Sequence, residues 1–143
     1  FENEYRMYYV SGTEWIHKDL PRYNIKLARS KDGKNWNLDG HVCIDFKSKS
    51  ENALARPFVI FEDNVWKMWF SCKGDMYQLG YAESNDGIDW VRRDDYSSIK
   101  RDSSDFDNEM IAYAAVVNYK GRHFMFYNGN NYGYAGIGLA VEE

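Results

Sequence analysis

The sequence has 143 residues, enough for one domain with a hydrophobic core and too few for two ordinary domains. Hydrophobic residues make up 44% of the chain and aromatic residues 17%, with only 2 prolines, a composition that excludes global disorder and favours β-strands. The net charge of −4 with scattered basic residues argues against a nucleic-acid partner, and no apolar run approaches the roughly 18 residues of a membrane span.

The first part of the chain, about residues 1–50, contains a short series of predicted strands. An aromatic strand is predicted at EYRMYYVSG (4–12) and a second strand at NIKLARS (24–30). An Asp-Gly turn follows at Asp32-Gly33, and Trp36 opens a further strand. Asp-Gly predicts a tight hairpin, because both residue types tolerate positive φ.

The second part, about residues 51–104, repeats this order and adds an apolar strand in front of it. The corresponding segments are ALARPFVIF (53–61), VWKMWFSCKG (65–74), YQLGYAES (77–84), Asp86-Gly87 and Trp90. The nonapeptide ARSKDGKNW at 28–36 thus returns as AESNDGIDW at 82–90. A structural unit needs such a duplicate, whereas a single catalytic loop does not.

The third part, about residues 105–143, starts the same order again. An apolar strand, an aromatic strand and a third strand are predicted at EMIAYAAVV (109–117), RHFMFYNGN (122–130) and GIGLAVE (136–142). The central methionines are 61 and 57 residues apart (68 − 7 and 125 − 68). Four antiparallel strands per repeat of this length predict an all-β fold of β-propeller blades, about three in a single domain spanning 1–143. The strand count of 3 + 4 + 3 leaves open edges, so we expect either missing N-terminal blades or a homo-oligomer to cover them.

Blade geometry predicts where a site would lie. The start of the innermost strand, the end of the aromatic strand and the start of the third strand share one face, around the axial channel. Carboxylates, amides, an arginine and exposed aromatic rings meet there, a combination that suits a carbohydrate ligand. The predicted catalytic residue is Glu109, and the predicted substrate-binding residues are Glu51, Asn52, Arg56, Trp15, Tyr113, Asn128 and Tyr132.

Each candidate also has a structural alternative. Glu109 can be a solvated residue at a loop end, and Arg56 can form an ion pair with a neighbouring blade. Asp105 and Asp107 are typical turn formers. No metal site or cofactor is predicted, because the histidines lack ligand spacing and Gly136 and Gly138 do not complete a dinucleotide fingerprint. The cysteines lack CxxC spacing and are predicted to be buried thiols; they and the absence of a signal-peptide pattern favour the cytoplasm.

Several stretches resemble the five-bladed propellers of glycoside hydrolase families 32 and 43, in particular an uncharacterised family 32-like branch. They are MYYVSG, ARSKDGKNW, the ARP of the innermost strand, MWFSCKG, GYAESNDGIDW and MFYNGNNYGYAGIGLA. The likeness covers essentially the whole chain and corresponds to the C-terminal half, about three blades, of such a protein. The Ser-x-Asp-Gly-x-x-Trp element is specific for the fold and carries little information on substrate.

The resemblance implies a glycosidase that uses two carboxylates around the channel. Arg56-Pro57 is similar to the family 32 Arg-Asp-Pro motif without its aspartate, and Glu109-Met110 is similar to the Glu-Cys motif without its cysteine. The first-blade motif that supplies the aspartate nucleophile has no counterpart here. We therefore hold three hypotheses: an enzyme that needs a second carboxylate from elsewhere, a non-catalytic carbohydrate-binding module, and a self-assembling module.

Overall fold

The computed structural model describes residues 3–97, 99–101 and 106–142. Within these residues the chain forms ten β-strands and two single 3₁₀ turns, so the all-β class predicted from the sequence is confirmed. The strands form one seven-stranded and one three-stranded sheet. A parallel pairing divides the larger sheet into two antiparallel groups, so the three antiparallel groups are called sheets 1 to 3 below. Asp105 lies outside the described residues.

Sheet 1 contains β1 (Tyr5–His17), β2 (Leu20–Ser30) and β3 (Val42–Ile44). The β1–β2 hairpin is longer than predicted, because residues between the two predicted strands continue the pairing up to His17 and Leu20. The third strand starts six residues after Trp36 (42 − 36) rather than at it. Only Asn37 pairs with Arg29 at the predicted start, and Asp39 and Gly40 then interrupt the extended chain.

Sheets 2 and 3 follow the predicted order of strands closely. Sheet 2 contains β4 (Ala53–Glu62), β5 (Val65–Lys73), β6 (Tyr77–Ser84) and β7 (Val91–Arg92), followed by a 3₁₀ turn at Asp94–Tyr96. Sheet 3 contains β8 (Ala112–Tyr119), β9 (Arg122–Asn128) and β10 (Ile137–Val141), with a 3₁₀ turn at Asn131–Gly133 between the last two strands. A single parallel bridge between Tyr23 and Ala53 joins sheet 1 to sheet 2 at the inner strand.

The two copies of the duplicated nonapeptide form the same turn. The Asp32 carboxylate accepts hydrogen bonds from the backbone N–H groups of Lys34 and Asn35, at 2.8 and 2.7 Å, and these bonds hold its pKa well below the ordinary value. Asp86 accepts the corresponding bonds one repeat later. The aspartates do not adopt positive φ as expected; only the following glycines do, at 71° and 70°.

The two larger clusters of the hydrophobic core form layers, one between each pair of neighbouring sheets, and a third, smaller cluster contains Ala53, Tyr77, Met110 and Ala112. The layer between sheets 1 and 2 includes Ile25, Leu27, Met68 and Phe70, and the layer between sheets 2 and 3 includes Trp69, Tyr81, Met125 and Tyr127. Residues of alternate orientation on sheet 2 thus supply both layers, as expected for a sheet buried on its two faces.

Two free cysteines contribute to the first of these layers. Cys43 and Cys72 are both buried, and burial raises the pKa of each thiol to about 12. Among the described residues there is no helix of the length and apolar character that a bilayer span requires.

A glycine in each of sheets 2 and 3 lies under an aromatic ring of the neighbouring strand. Gly80 pairs with Phe70 and Gly138 pairs with Tyr127, and a Cβ atom on either glycine would overlap the ring. We therefore expect Gly80→Ala to lower the free energy of unfolding by about 1–3 kcal/mol, through displacement of the Phe70 ring.

Urea unfolding followed by circular dichroism measures this loss. Gly12→Ala is the matched control, because the added Cβ would meet no atom within 4 Å. Equal stabilities of the two variants would show that the ring above Gly80 moves without cost.

Candidate functional site

Two neighbouring inner strands carry the same irregularity at the same repeat position. The β4–β5 register shifts between Ala55 and Phe58, and the β8–β9 register shifts between Ala112 and Ala115. The first residue inside each bulge, Arg56 in one and Tyr113 in the other, has a left-handed φ value, 52° and 60° respectively, and the two are 57 positions apart (113 − 56). Such conformations are unfavourable for residues with long side chains and concentrate at functional sites.

The two bulge residues are in contact with each other. The Arg56 guanidinium carbon lies 5.0 Å from the centre of the Tyr113 ring, within the range of a cation–π interaction. The Tyr113 backbone N–H donates a 2.9 Å hydrogen bond to the hydroxyl of Ser71, which is fully buried on β5. This bond fixes the bulge of sheet 3 against sheet 2. Burial also raises the pKa of Tyr113.

Tyr113 belongs to a cluster of four tyrosines. Its ring stacks on that of Tyr132, with centres 6.2 Å apart and an angle of 27° between the planes. Tyr77 lies edge-on to Tyr132 at 6.0 Å, and its hydroxyl is 2.9 Å from that of Tyr23. Burial and the hydrogen bond with Tyr23 raise the pKa of Tyr77 far above its ordinary value, so its hydroxyl stays protonated. Tyr132 remains 57% exposed, so more than half of its surface is open to solvent.

Two small cavities adjoin this cluster. One of about 250 Å³ is lined by Arg56, Pro57, Phe58, Tyr113 and Ala114. The other, of about 160 Å³, is lined by Lys73, Asp75, Met76, Tyr77, Glu109, Met110, Asn131 and Tyr132. Since Tyr113 lines the first, Tyr132 lines the second and their rings stack, the cavities are neighbours. We call the two cavities and the tyrosine cluster between them the inner-strand surface. It includes Arg56 and Tyr113 at the first cavity and Tyr132 and Glu109 at the second.

Glu109 and Tyr132 are positioned by two asparagines, one at the end of β9 and one in the β9–β10 connection. The buried Asn130 side chain accepts hydrogen bonds from the backbone N–H groups of Glu109 and Met110, at 2.9 and 2.8 Å. The Asn128 side chain donates to the backbone carbonyl of Tyr132 at 2.8 Å. Asn128 therefore holds Tyr132 in place, while the Glu109 side chain is exposed at the rim of the second cavity.

Glu51 and Asn52 have structural partners. The Glu51 carboxylate forms a two-pronged ion pair with Arg92, with N–O distances of 2.7 and 2.9 Å, and only 8% of the residue is exposed. The Asn52 backbone bonds to both Tyr23 and Lys73, joining sheets 1 and 2. These contacts tie the start of β4 to its neighbours and leave Glu51 little capacity for a ligand.

Trp15 lies apart from the tyrosine cluster, on the long β1–β2 hairpin of sheet 1. Its side chain is 69% exposed. The hairpin is the counterpart of the two connections that carry Asp75 and Tyr132, so it projects from the same face of its sheet. Its part in ligand binding stays a prediction.

The sequence interpretation did not select Tyr23, Lys73, Asp75 or Tyr77. The signal that identifies them was already present, since the end of the aromatic strand and the start of the next strand were predicted to face the channel. Lys73 ends β5 and Tyr77 begins β6. No group of three or more potential metal ligands occurs within the part of the chain that the structure describes.

Comparison with solved structures places this geometry in a known architecture. A family 117 glycoside hydrolase from the marine bacterium Zobellia galactanivorans superimposes with a TM-score of 0.77 over 99% of this chain and 48% of its own, at 16% identity. A mutant family 32 β-fructofuranosidase from Bombyx mori, in complex with sucrose, superimposes with a TM-score of 0.75 over 100% of this chain and 32% of its own, at 14% identity. The chain has a propeller-like glycosidase fold. At these identities the likeness concerns the fold alone.

Sequence comparison adds relatives of undefined activity. Two uncharacterized proteins of Mycobacterium tuberculosis, from strains H37Rv and CDC 1551, are each 36% identical to this propeller-like chain over 143 residues. The match covers 97% of the chain and 47% of each relative, so the chain spans about half the length of these curated relatives. No protein-family profile matches the sequence.

Proposed function

We propose that this protein binds a carbohydrate at the inner-strand surface. The observation that carries the proposal is the pairing of Arg56 and Tyr113 on equivalent bulges of adjacent inner strands, with Tyr132 stacked beside them. Tyrosine rings provide faces for the apolar side of a sugar ring, and a guanidinium donates to its hydroxyl groups. The solved structures with a similar fold support only the general class of ligand, because they are carbohydrate-active enzymes.

In this proposal the site residues predicted from the sequence have different roles. Arg56, Tyr113 and Tyr132 contact the sugar, and Asn128 acts by holding Tyr132. Trp15 would extend the surface towards sheet 1. Glu51 and Asn52 are assigned to the framework because of their partners.

Tyr132→Ala tests the binding proposal. A glycan array first identifies a ligand, and calorimetry then measures its Kd. Removing an exposed aromatic anchor is expected to cost about 1–2 kcal/mol, roughly a five- to thirtyfold weaker Kd. Tyr132→Phe is the matched control and should keep most of the affinity, since the ring remains. Equal affinities of wild type and Tyr132→Ala for every array hit would refute a sugar site on this surface.

Glycoside hydrolysis is a second candidate function for the same surface. It is favoured by one observation, that Glu109 and Asp75 line the same cavity as Tyr132. Ordinary glycoside hydrolysis requires two carboxyl groups, one as an acid and one as a base or nucleophile. Asp75 thus gives the chain a second carboxylate near Glu109.

A further inference from the structure

Arg56 is held in a conformation that the following residue disfavours. Its φ of 52° lies in the left-handed region, and the next residue is Pro57. A proline favours extended conformations for the residue before it, and a left-handed φ is unfavourable for any residue with a Cβ atom. Glycine adopts such a φ at little cost. The bulge on β4 therefore does not need an arginine for its backbone geometry, and the guanidinium requires another explanation.

The Arg56 guanidinium has no carboxylate partner across the described segments of the chain. By contrast, Arg92 is paired with Glu51 at the start of the same strand, at 2.7 Å. Arg56 instead lies over the Tyr113 ring, a contact that leaves N–H donors of the guanidinium available. The residue is also exposed. An anionic ligand can therefore reach a cation that the framework does not neutralise.

The two cavities of the inner-strand surface differ in charge. The first is lined by Arg56 and otherwise by residues that are uncharged at neutral pH, so it carries one positive charge. The second is lined by Asp75 and Glu109 and by a single cation, Lys73. With both carboxylates ionised, these two negative charges and one positive charge leave a net charge of −1. An anionic group is therefore attracted to the first cavity and repelled from the second.

The first cavity suits a carboxylate in particular. A guanidinium presents two parallel N–H groups to the two oxygens of a carboxylate, and this pairing is stronger and more directional than a hydrogen bond to a neutral hydroxyl. Burial raises the pKa of Tyr113, so its phenol remains a neutral donor at this cavity. The stacked rings of Tyr113 and Tyr132 then lead towards the second cavity.

We propose, on the basis of the proposed sugar-binding function, that the ligand is an acidic carbohydrate, a chain with uronate units of which one binds Arg56 through its carboxylate. This uronate unit lies at the first cavity, and the neighbouring unit packs against the Tyr132 ring. Asp75 and Glu109 then face the neighbouring unit rather than the bound carboxylate, an arrangement that avoids contact between like charges.

Short oligomers of galacturonate, glucuronate and mannuronate, each with its carboxyl-reduced form, are the probes for this site. Reduction replaces the carboxylate by a hydroxymethyl group and leaves the rest of the sugar unchanged. Calorimetry is expected to give a Kd about tenfold lower, or more, for at least one acid than for its reduced form. The difference should shrink in concentrated salt, because salt screens the ion pair.

Arg56→Gln and Arg93→Gln are a matched pair of variants. Both remove one positive charge, but Arg93 pairs with Glu83 at the outer edge of sheet 2, beyond β6. We expect Arg56→Gln to weaken binding of the acid about tenfold or more, to the level of the reduced form, and Arg93→Gln to leave both affinities unchanged. Equal weakening in the two variants would attribute the preference to the net charge of the protein and overturn the role of Arg56.

The same measurements separate the acidic ligand from the sugar site itself. If acid and reduced forms bind equally and both lose affinity in Tyr132→Ala, the ligand is not selected for its acid and the sugar site stands. Neutral hits on the glycan array without binding of any acid would lead to the same conclusion. A preference for sulfated over carboxylated sugars that disappears in Arg56→Gln would contradict the carboxylate.

Arg56→Gly distinguishes a ligand-binding role from a structural one. Glycine relieves the left-handed φ before Pro57, so the melting temperature should equal or exceed that of the wild type while the preference for the acid disappears. A melting temperature lower by about 5 °C or more, with the preference retained, would show that Arg56 serves stability and would overturn the proposal.

Discussion

Replacing Arg92 with methionine is expected to lower the free energy of unfolding by about 3–5 kcal/mol, because the change leaves a buried carboxylate without its partner. Arg92 is the centre of a network that joins the start of β4 to the end of β7. Its guanidinium binds Glu51 through two N–O contacts and Asp94 through a third of 2.7 Å. The side chains of Arg92 and Glu51 are only 10% and 11% exposed.

The network also includes Lys47, and this is a further reason to expect a large loss of stability from Arg92→Met. Its ammonium lies 2.7 Å from Asp94, and its backbone N–H donates to Glu51 at 2.8 Å. Burial by itself would lower the pKa of Arg92, but the hydrogen bonds to Glu51 and Asp94 outweigh burial and raise it. The guanidinium therefore remains charged at any pH where the protein is handled.

Urea unfolding of three variants separates this effect from a general loss of packing. Arg93→Met is the matched control, because the neighbouring Arg93 pairs with Glu83 at an exposed site and should contribute less than about 1 kcal/mol. Adding Glu51→Gln to Arg92→Met should recover about 1–3 kcal/mol by removing the unpaired charge. If Arg92→Met and Arg93→Met unfold at the same urea concentration, the network has no stabilising role.

Glu109→Gln is expected to reduce the turnover of a glycoside substrate by about 10²–10⁴-fold, if hydrolysis takes place on the inner-strand surface. A glutamine cannot donate the proton that the leaving-group oxygen requires. The substitution is nearly isosteric, and Asn130 contacts the Glu109 backbone rather than its carboxylate, so the fold should be unaffected. Asp75→Asn should cause a loss of similar size if Asp75 is the second carboxylate.

Release of sugar from a panel of glycosides measures this prediction, together with the melting temperature of each variant. Asp63→Asn is the control, since the Asp63 side chain is 84% exposed at the β4–β5 turn, on the opposite end of the strands. Wild-type protein that binds sugar without turnover would reject hydrolysis and leave the binding proposal intact. Turnover that survives Glu109→Gln would place the chemistry on other groups.

The repeat pattern was enough to predict the fold, because each strand is set by local alternation and each turn by its own residues. The Asp32 and Asp86 turns show this dependence on local sequence, since their side chains bond to backbone groups two and three residues away. The predicted start of β3 at Trp36 was wrong, because Asp39 and Gly40 interrupt the extended chain and the strand begins only at Val42.

The site was predictable as a face of the molecule but not as a set of contacts. Arg56, Tyr113 and Tyr132 were chosen from the sequence. In the structure the Arg56 guanidinium lies over the Tyr113 ring, which stacks on the Tyr132 ring. Glu51 was chosen by the same rule, yet its partner Arg92 lies 41 residues further along the chain, so the ion pair could not be read from local spacing. Tyr77 was overlooked although it begins β6 on the predicted face, because its partners Tyr23 and Tyr132 lie far from it in the sequence.

The paired bulges have a practical consequence for protein engineering. Two very different side chains, a guanidinium at 56 and a phenol at 113, occupy the same backbone geometry one repeat apart. That geometry depends on the strands around it, so it tolerates more than one kind of side chain. Exchanging the two, as Arg56→Tyr together with Tyr113→Arg, would move the positive charge from one inner strand to the next while keeping the framework, and so would alter the preference of the proposed sugar site.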